Sequence, residues 1–131
     1  MSLFKKKLKR PPEKTTVHFI FVEEPLEKVA SEIMKWEESL WWPKNSIIQI
    51  TRKTPSSIQP GTVFNYKFAF FPEWTAEVTR FVHLRLFVNT FKSKMLQGTE
   101  TVRIEERANG TKVEYEISCQ VHGHIYKILS Y

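Results

Sequence analysis

The chain contains no aspartate: all 14 of its acidic residues are glutamates. That absence removes the Ser-His-Asp triad, the EF-hand calcium loop and the metal-holding aspartate of kinases. Glycine is nearly as scarce. Gly61, Gly98, Gly110 and Gly123 stand alone and far apart, so neither a Walker A loop nor a GxGxxG turn can be written. A single cysteine, Cys119, can form no internal disulfide and excludes a Cys-rich metal site, which makes a reducing cytoplasm the expected setting. His18, His83, His122 and His124 follow no recognised metal spacing and no HExxH occurs, so neither metal nor cofactor is expected. No apolar run approaches the ~20 residues that a membrane-spanning helix requires. The basic stretch from Lys5 to Arg10 leads into Pro11, Pro12 and Glu13 instead of the apolar core of a signal peptide.

What is present is an ordinary globular composition of 131 residues, 41% hydrophobic and 26% charged, enough for one domain with one core. The net charge of +6 invites a nucleic-acid reading until the charges are located. Within residues 1–14, Lys5, Lys6, Lys7, Lys9, Arg10 and Lys14 face only Glu13, so +5 sits in that segment and +1 in all the rest. The expectation is a basic, mobile arm over 1–14 followed by a near-neutral domain over 15–131, with no specific nucleic-acid contact. Leu3, Phe4 and Leu8 interleave the lysines, a composition suited to weak contact with an anionic membrane.

Along the domain, Thr15 to Glu23 is rich in β-branched and aromatic residues and predicts a strand whose two faces are both largely apolar. Pro25 then opens a helix in which Leu26, Val29, Ala30 and Ile33 recur at helical spacing, giving about three turns, with Glu27 near its positive end. Glu37 to Trp42 predicts a second short helix stopped by Pro43. From Ser46 the period becomes two. Strands are expected around Ile48 and Ile50, over Val63 to Phe71, Trp74 to Val82, Leu84 to Phe91 and Gly98 to Glu106, and from Lys112 to Val121 after an Ala108-Asn109-Gly110 turn. After Gly123, eight residues remain, enough to begin a helix. The fold class is α+β: a curved antiparallel sheet of about six to seven strands, two short helices after the first strand and a truncated C-terminal helix.

In that order and spacing, FVEEPLEKVASEI, the WWP at Trp41 to Pro43, PGTVFNYKF, WTAEV at Trp74 to Val78, GTE at Gly98 to Glu100 and NGTKVEYEI resemble the START-like (SRPBCC) superfamily of polyketide cyclase/dehydrase-type and lipid-transport domains. The resemblance spans residues 15–124. It implies a helix-grip fold, a seven-stranded sheet bent around a long C-terminal helix with a ligand cavity between them. Here the terminal helix is short, which predicts exposed apolar surface covered by a homodimer partner, a ligand or the arm, the homodimer being favoured.

Phe64, Tyr66, Phe68 and Phe70 share one face of their strand, with Asn65 and Lys67 opposite, and together with Trp74 and Tyr115 form a candidate wall for a hydrophobic, lipid-like or polycyclic ligand. Arg80 shares parity with Trp74, Ala76 and Val78, and Glu100 with Val102 and Ile104. An Arg80–Glu100 pair facing the interior would fix the polar end of that ligand, since a lone buried charge is costly. Parity cannot place His18. The favoured function is binding or carriage without catalysis. The alternative is an enzyme of the cyclase/dehydrase type using Glu100 or His18, with Arg80 polarising a carbonyl.

Overall fold

The computed structural model describes residues 13–38, 48–68 and 72–121. The expectations for the arm over 1–12, for Trp41, Trp42 and Pro43, for Phe70, and for His122, His124 and the terminal helix lie outside those residues.

Strand β1 (Lys14–Val22) leads through Pro25 into helix α1 (Leu26–Ile33). Pro25 starts the helix with φ −62° and ψ 153°, and its carbonyl accepts the Lys28 and Val29 N–H groups, both at 3.1 Å. The helix has two turns rather than the expected three. At Met34 the chain leaves the helix for a 3-10 turn (Trp36–Glu38), which is what the described part of the expected second helix becomes. Arg52 accounts for the stop. Its Nη2 donates to the Met34 carbonyl at 2.7 Å, satisfying one of the acceptors that a helix end leaves free, and to Glu37 Oε1 at 2.7 Å. The turn also seats Trp36 in the core, 3% exposed.

Six strands then follow as a meander: β2 (Ile48–Arg52), β3 (Val63–Phe68), β4 (Trp74–Val82), β5 (Leu86–Lys92), β6 (Leu96–Arg107) and β7 (Gly110–Val121). All pairings are antiparallel, and β1 adds beside β7, so the sheet reads β1-β7-β6-β5-β4-β3-β2 and curls into a half-barrel. This is the α+β helix-grip arrangement. At Gly98 a Cβ would lie 2.1 Å from the Ser118 carbonyl oxygen, and φ is +143°, so only glycine lets β6 approach β7 there.

Val29, Ala30 and Ile33 of α1 and Trp36 fill the concave side against Phe64 and Tyr66, Ala76 and Val78, Phe87 and Phe91, Val102 and Ile104, and Val113. Every strand from β3 to β7 thus contributes alternate residues. Full burial of a side chain such as Ile33, 1% exposed, is worth about 1.5–3 kcal/mol. One parity fails. The β4–β5 register runs from Val78↔Asn89 directly to Arg80↔Val88, leaving Thr79 as an extra residue. This β-bulge shifts the alternation by one. Phe81 therefore lies opposite Phe87, on the concave side, while Arg80 lies opposite Val88, faces the other side and is exposed.

Candidate functional site

At the centre of the concave face lies a carboxyl group in a place that normally holds a hydrocarbon. Glu100 is 1% exposed, and its β6 neighbours on the same face are Val102 and Ile104. Its alternation is as expected; its partners are not. Tyr66 of β3 donates its hydroxyl to Oε1, Asn89 Nδ2 of β5 donates to the same oxygen at 2.8 Å, and Tyr115 of β7 donates to Oε2 at 2.6 Å. Behind them, Trp36 Nε1 donates to the Tyr66 hydroxyl at 2.9 Å and Asn89 Nδ2 approaches it at 3.4 Å. Four strands and the 3-10 turn thus meet on one acidic side chain.

Arg80 takes no part. The bulge turns it away, and among the described residues Glu100 has no ion-pair partner. The interior carboxyl is satisfied by neutral donors instead. Burial pushes the Glu100 carboxyl above the usual carboxylate range, against the three hydrogen bonds, from Tyr115, Tyr66 and Asn89, that pull it down. The Tyr115 and Tyr66 hydroxyls are raised for the same first reason, burial, and then by the charge of Glu100. Asn89 Oδ1 and Trp74 Nε1 are buried with no hydrogen-bond partner.

Beside this network is a partly open cavity of about 190 Å³, lined by His18, Ile20, Ile33, Trp36, Val102, Val113 and Tyr115. Only Tyr115 belongs to both the expected wall and this lining. Phe64 is wholly buried and Tyr66 is 3% exposed, so both are core. Trp74 is half-buried and stacks on Tyr66 with ring centroids 5.6 Å apart. Phe68 is half-buried and pairs with Ile48 at the far end of the sheet. The aromatic stripe therefore shapes the cavity from behind. Its actual wall comes from α1, the 3-10 turn and the β1–β7–β6 end.

His18 shows why parity alone fell short. Both faces of β1 are apolar, but β1 pairs with β7 so that His18 lies directly across from Tyr115, and an antiparallel pair shares a face. Once Tyr115 is known to point inward, so must His18. Asn89 carries a signal in the sequence too, as the polar member of the Phe87, Asn89, Phe91 alternation, and Trp36 continues the Val29, Ile33 helical face. Among the described residues, no group of three or more His, Cys or Glu side chains could hold a metal ion, and no helix is long and apolar enough to cross a membrane.

No family model matches the sequence, and no curated protein matches it. Solved structures do. Norcoclaurine synthase from Thalictrum flavum superposes with a TM-score of 0.66 at 11% identity, over 92% of this chain and 83% of that one. The di-domain ARO/CYC protein StfQ of the steffimycin biosynthetic pathway gives a TM-score of 0.66 at 9% identity over 96% of this chain and 42% of its own. The Aha1 dimer of Colwellia psychrerythraea gives 0.61 at 16% identity over 89% of this chain and 84% of that one. With its curled sheet, its opening strand and helix and these structural likenesses, the chain has the START-like, SRPBCC-type helix-grip fold.

Proposed function

We propose that this protein binds or carries a hydrophobic small molecule in the cavity between α1, Trp36 and the β1–β7–β6 end of the sheet. The observation that carries this reading is an apolar, partly open cavity of about 190 Å³ between α1, Trp36 and the sheet. A dry apolar cavity of about 150 Å³ takes a benzene-sized guest, so this one suits a molecule of one or two rings or a short acyl chain. Tyr115 and His18 are the polar groups of its wall and orient the guest. Phe64, Tyr66 and Trp74 hold the wall from behind, and Glu100 holds Tyr115. Cytoplasmic residence agrees with the lone, half-buried Cys119. Protein purified from cells and sprayed natively should carry an extra mass of a few hundred daltons, and Val102→Trp, which fills the cavity, should lose it. Wild-type protein that stays empty and takes up no naphthalene derivative would refute the reading.

A second reading, an enzyme of the cyclase/dehydrase type, has one observation in its favour: at the cavity wall Tyr115 bonds Glu100 and lies across the β1–β7 pair from His18. In it Tyr115 replaces Arg80 as the group that polarises a carbonyl. Turnover that falls in Tyr115→Phe while ligand uptake persists would favour it over simple carriage.

Self-association belongs to the same proposal. The outer strand β1 exposes Val17, Phe19 and Phe21, at 41%, 55% and 52%, and an edge strand of this composition suits pairing with a second copy. Sedimentation velocity at micromolar concentration tests it, with Phe19→Lys expected to give a monomer.

A further inference from the structure

The Glu100–Tyr115 contact has a property that follows from counting protons. A phenol has one proton to donate and two lone pairs to accept with. In the structure that proton goes to Glu100 Oε2 at 2.6 Å, so Tyr115 offers the cavity an acceptor only. Tyr66 is occupied likewise, donating to Glu100 and accepting from Trp36. A guest carrying a carbonyl oxygen would therefore meet an oxygen lone pair, which is unfavourable in an apolar cavity.

A proton on Glu100 reverses this. With Oε2 protonated, the same 2.6 Å contact can run the other way, the carboxylic acid donating to Tyr115 Oη and the phenol donating to the guest. Oε1 still accepts from Tyr66 and Asn89, so no donor is orphaned. We propose that Glu100 sets the hydrogen-bonding polarity of the cavity through Tyr115, so that a ketone or other acceptor-bearing apolar guest binds with uptake of one proton from solvent. The inference rests on the reading of the cavity as a ligand site and adds to it a ligand class and a pH dependence.

The surroundings suit such a carrier. From β5 the group facing Glu100 is the neutral Asn89, from β3 Tyr66, from β7 Tyr115 with Cys119 beyond it, and from the 3-10 turn Trp36; α1 presents Val29, Ala30 and Ile33. No cation among them pins the carboxyl in its ionised form, and burial already favours the protonated one. His18, across from Tyr115 on the cavity wall, is a second ionisable side chain, and the test must separate it from Glu100.

Acetonaphthone and ethylnaphthalene have nearly the same shape and differ in one acceptor. Titration calorimetry of the intact protein with each, between about pH 5 and pH 9 and in buffers of differing ionisation enthalpy, reads affinity and proton uptake together. The ketone should bind with uptake approaching one proton and tighten by up to roughly tenfold per unit fall in pH between the free and bound pKa of Glu100. The hydrocarbon should show neither effect. Glu100→Gln, whose amide donates to Tyr115 as the protonated acid would, should hold the ketone at its low-pH affinity with no uptake. Tyr115→Phe should bind both probes alike. Uptake that persists in Glu100→Gln, or that disappears in His18→Asn, would overturn the inference while leaving the ligand site intact, as would a wild-type ketone titration without proton uptake. Failure of both probes to bind wild-type and Glu100→Gln protein alike would remove the ligand reading beneath it.

Discussion

Strand β6 carries two charged residues three positions apart that face opposite ways, and they are held by opposite means. On the convex side, Arg103 meets Glu114 at 2.6 Å and Glu116 at 3.4 Å, with side chains 48%, 23% and 33% exposed. The hydrogen bond to Glu114 raises the Arg103 guanidinium further above its already high range. On the concave side, Glu100 has no cation partner among the described residues, only two phenols and an amide. The convex cluster pairs opposite charges where water already screens them and gains little. The concave carboxyl sits where desolvation is severe and is answered with neutral donors. Stability alone would favour apolar residues in place of Glu100 and its three donors together; Glu100 by itself cannot be exchanged for one without orphaning those donors.

Glu100→Ala tests the comparison with the largest expected effect. It strips the acceptor from Tyr66, Tyr115 and Asn89 at once, and each buried donor left without a partner costs on the order of 1–3 kcal/mol. Partial rescue by an entering water makes about 3 kcal/mol the expected loss in urea unfolding. Next is Tyr66→Phe, which removes one donor to Glu100 and the acceptor of Trp36 Nε1, for an expected loss of about 2 kcal/mol. If either variant were as stable as wild type, the network would not be the centre of the core described here.

A pH series sharpens the same contrast. Because burial raises the folded-state pKa of Glu100 above its unfolded value, the folded state holds the proton more tightly. The contribution of this group to stability is therefore fully present below the unfolded carboxylate range and is lost as pH rises through the folded pKa. The difference in unfolding free energy between wild type and Glu100→Gln should accordingly shift against wild type as pH rises from about 4, then level off. A difference that does not change with pH would mean that Glu100 titrates as it does in the unfolded chain.

The succession of elements along the chain, the two-residue period and the inward parity of Glu100, Tyr66 and Tyr115 could be read from the residues, because alternation is a local property that burial enforces in each strand separately. Three features could not. The bulge at Thr79 inserts one residue without any glycine or proline to mark it, and everything after it on β4 changes face; that is why Arg80 was expected inside. The inward direction of His18 depends on which strand β1 pairs with, a contact between residues about a hundred positions apart. The partners of Glu100 come from β3, β5 and β7, and only the curl of the sheet brings them to one point. Local pattern thus placed Glu100 on the inward face and misplaced Arg80.

The smallest expected effect closes the comparison from the convex side. Arg103→Ala breaks both contacts to Glu114 and Glu116 but leaves them half in water, where the freed carboxylates are readily hydrated. Exposed pairs of this kind are worth about 0.2–1 kcal/mol, and the short Glu114 contact places this one near the middle, at about 0.5 kcal/mol. Screening supplies the decisive check. At 1 M salt the Debye length falls to about 3 Å, so the gap between Arg103→Ala and wild type should shrink towards zero, whereas the gap for Glu100→Ala, made of buried hydrogen bonds from neutral donors, should stay the same. Unfolding curves of both variants at low and high salt decide it: an Arg103→Ala loss that is as large as that of Glu100→Ala and insensitive to salt would show that the convex cluster, and not the acid in the core, ties β6 to β7.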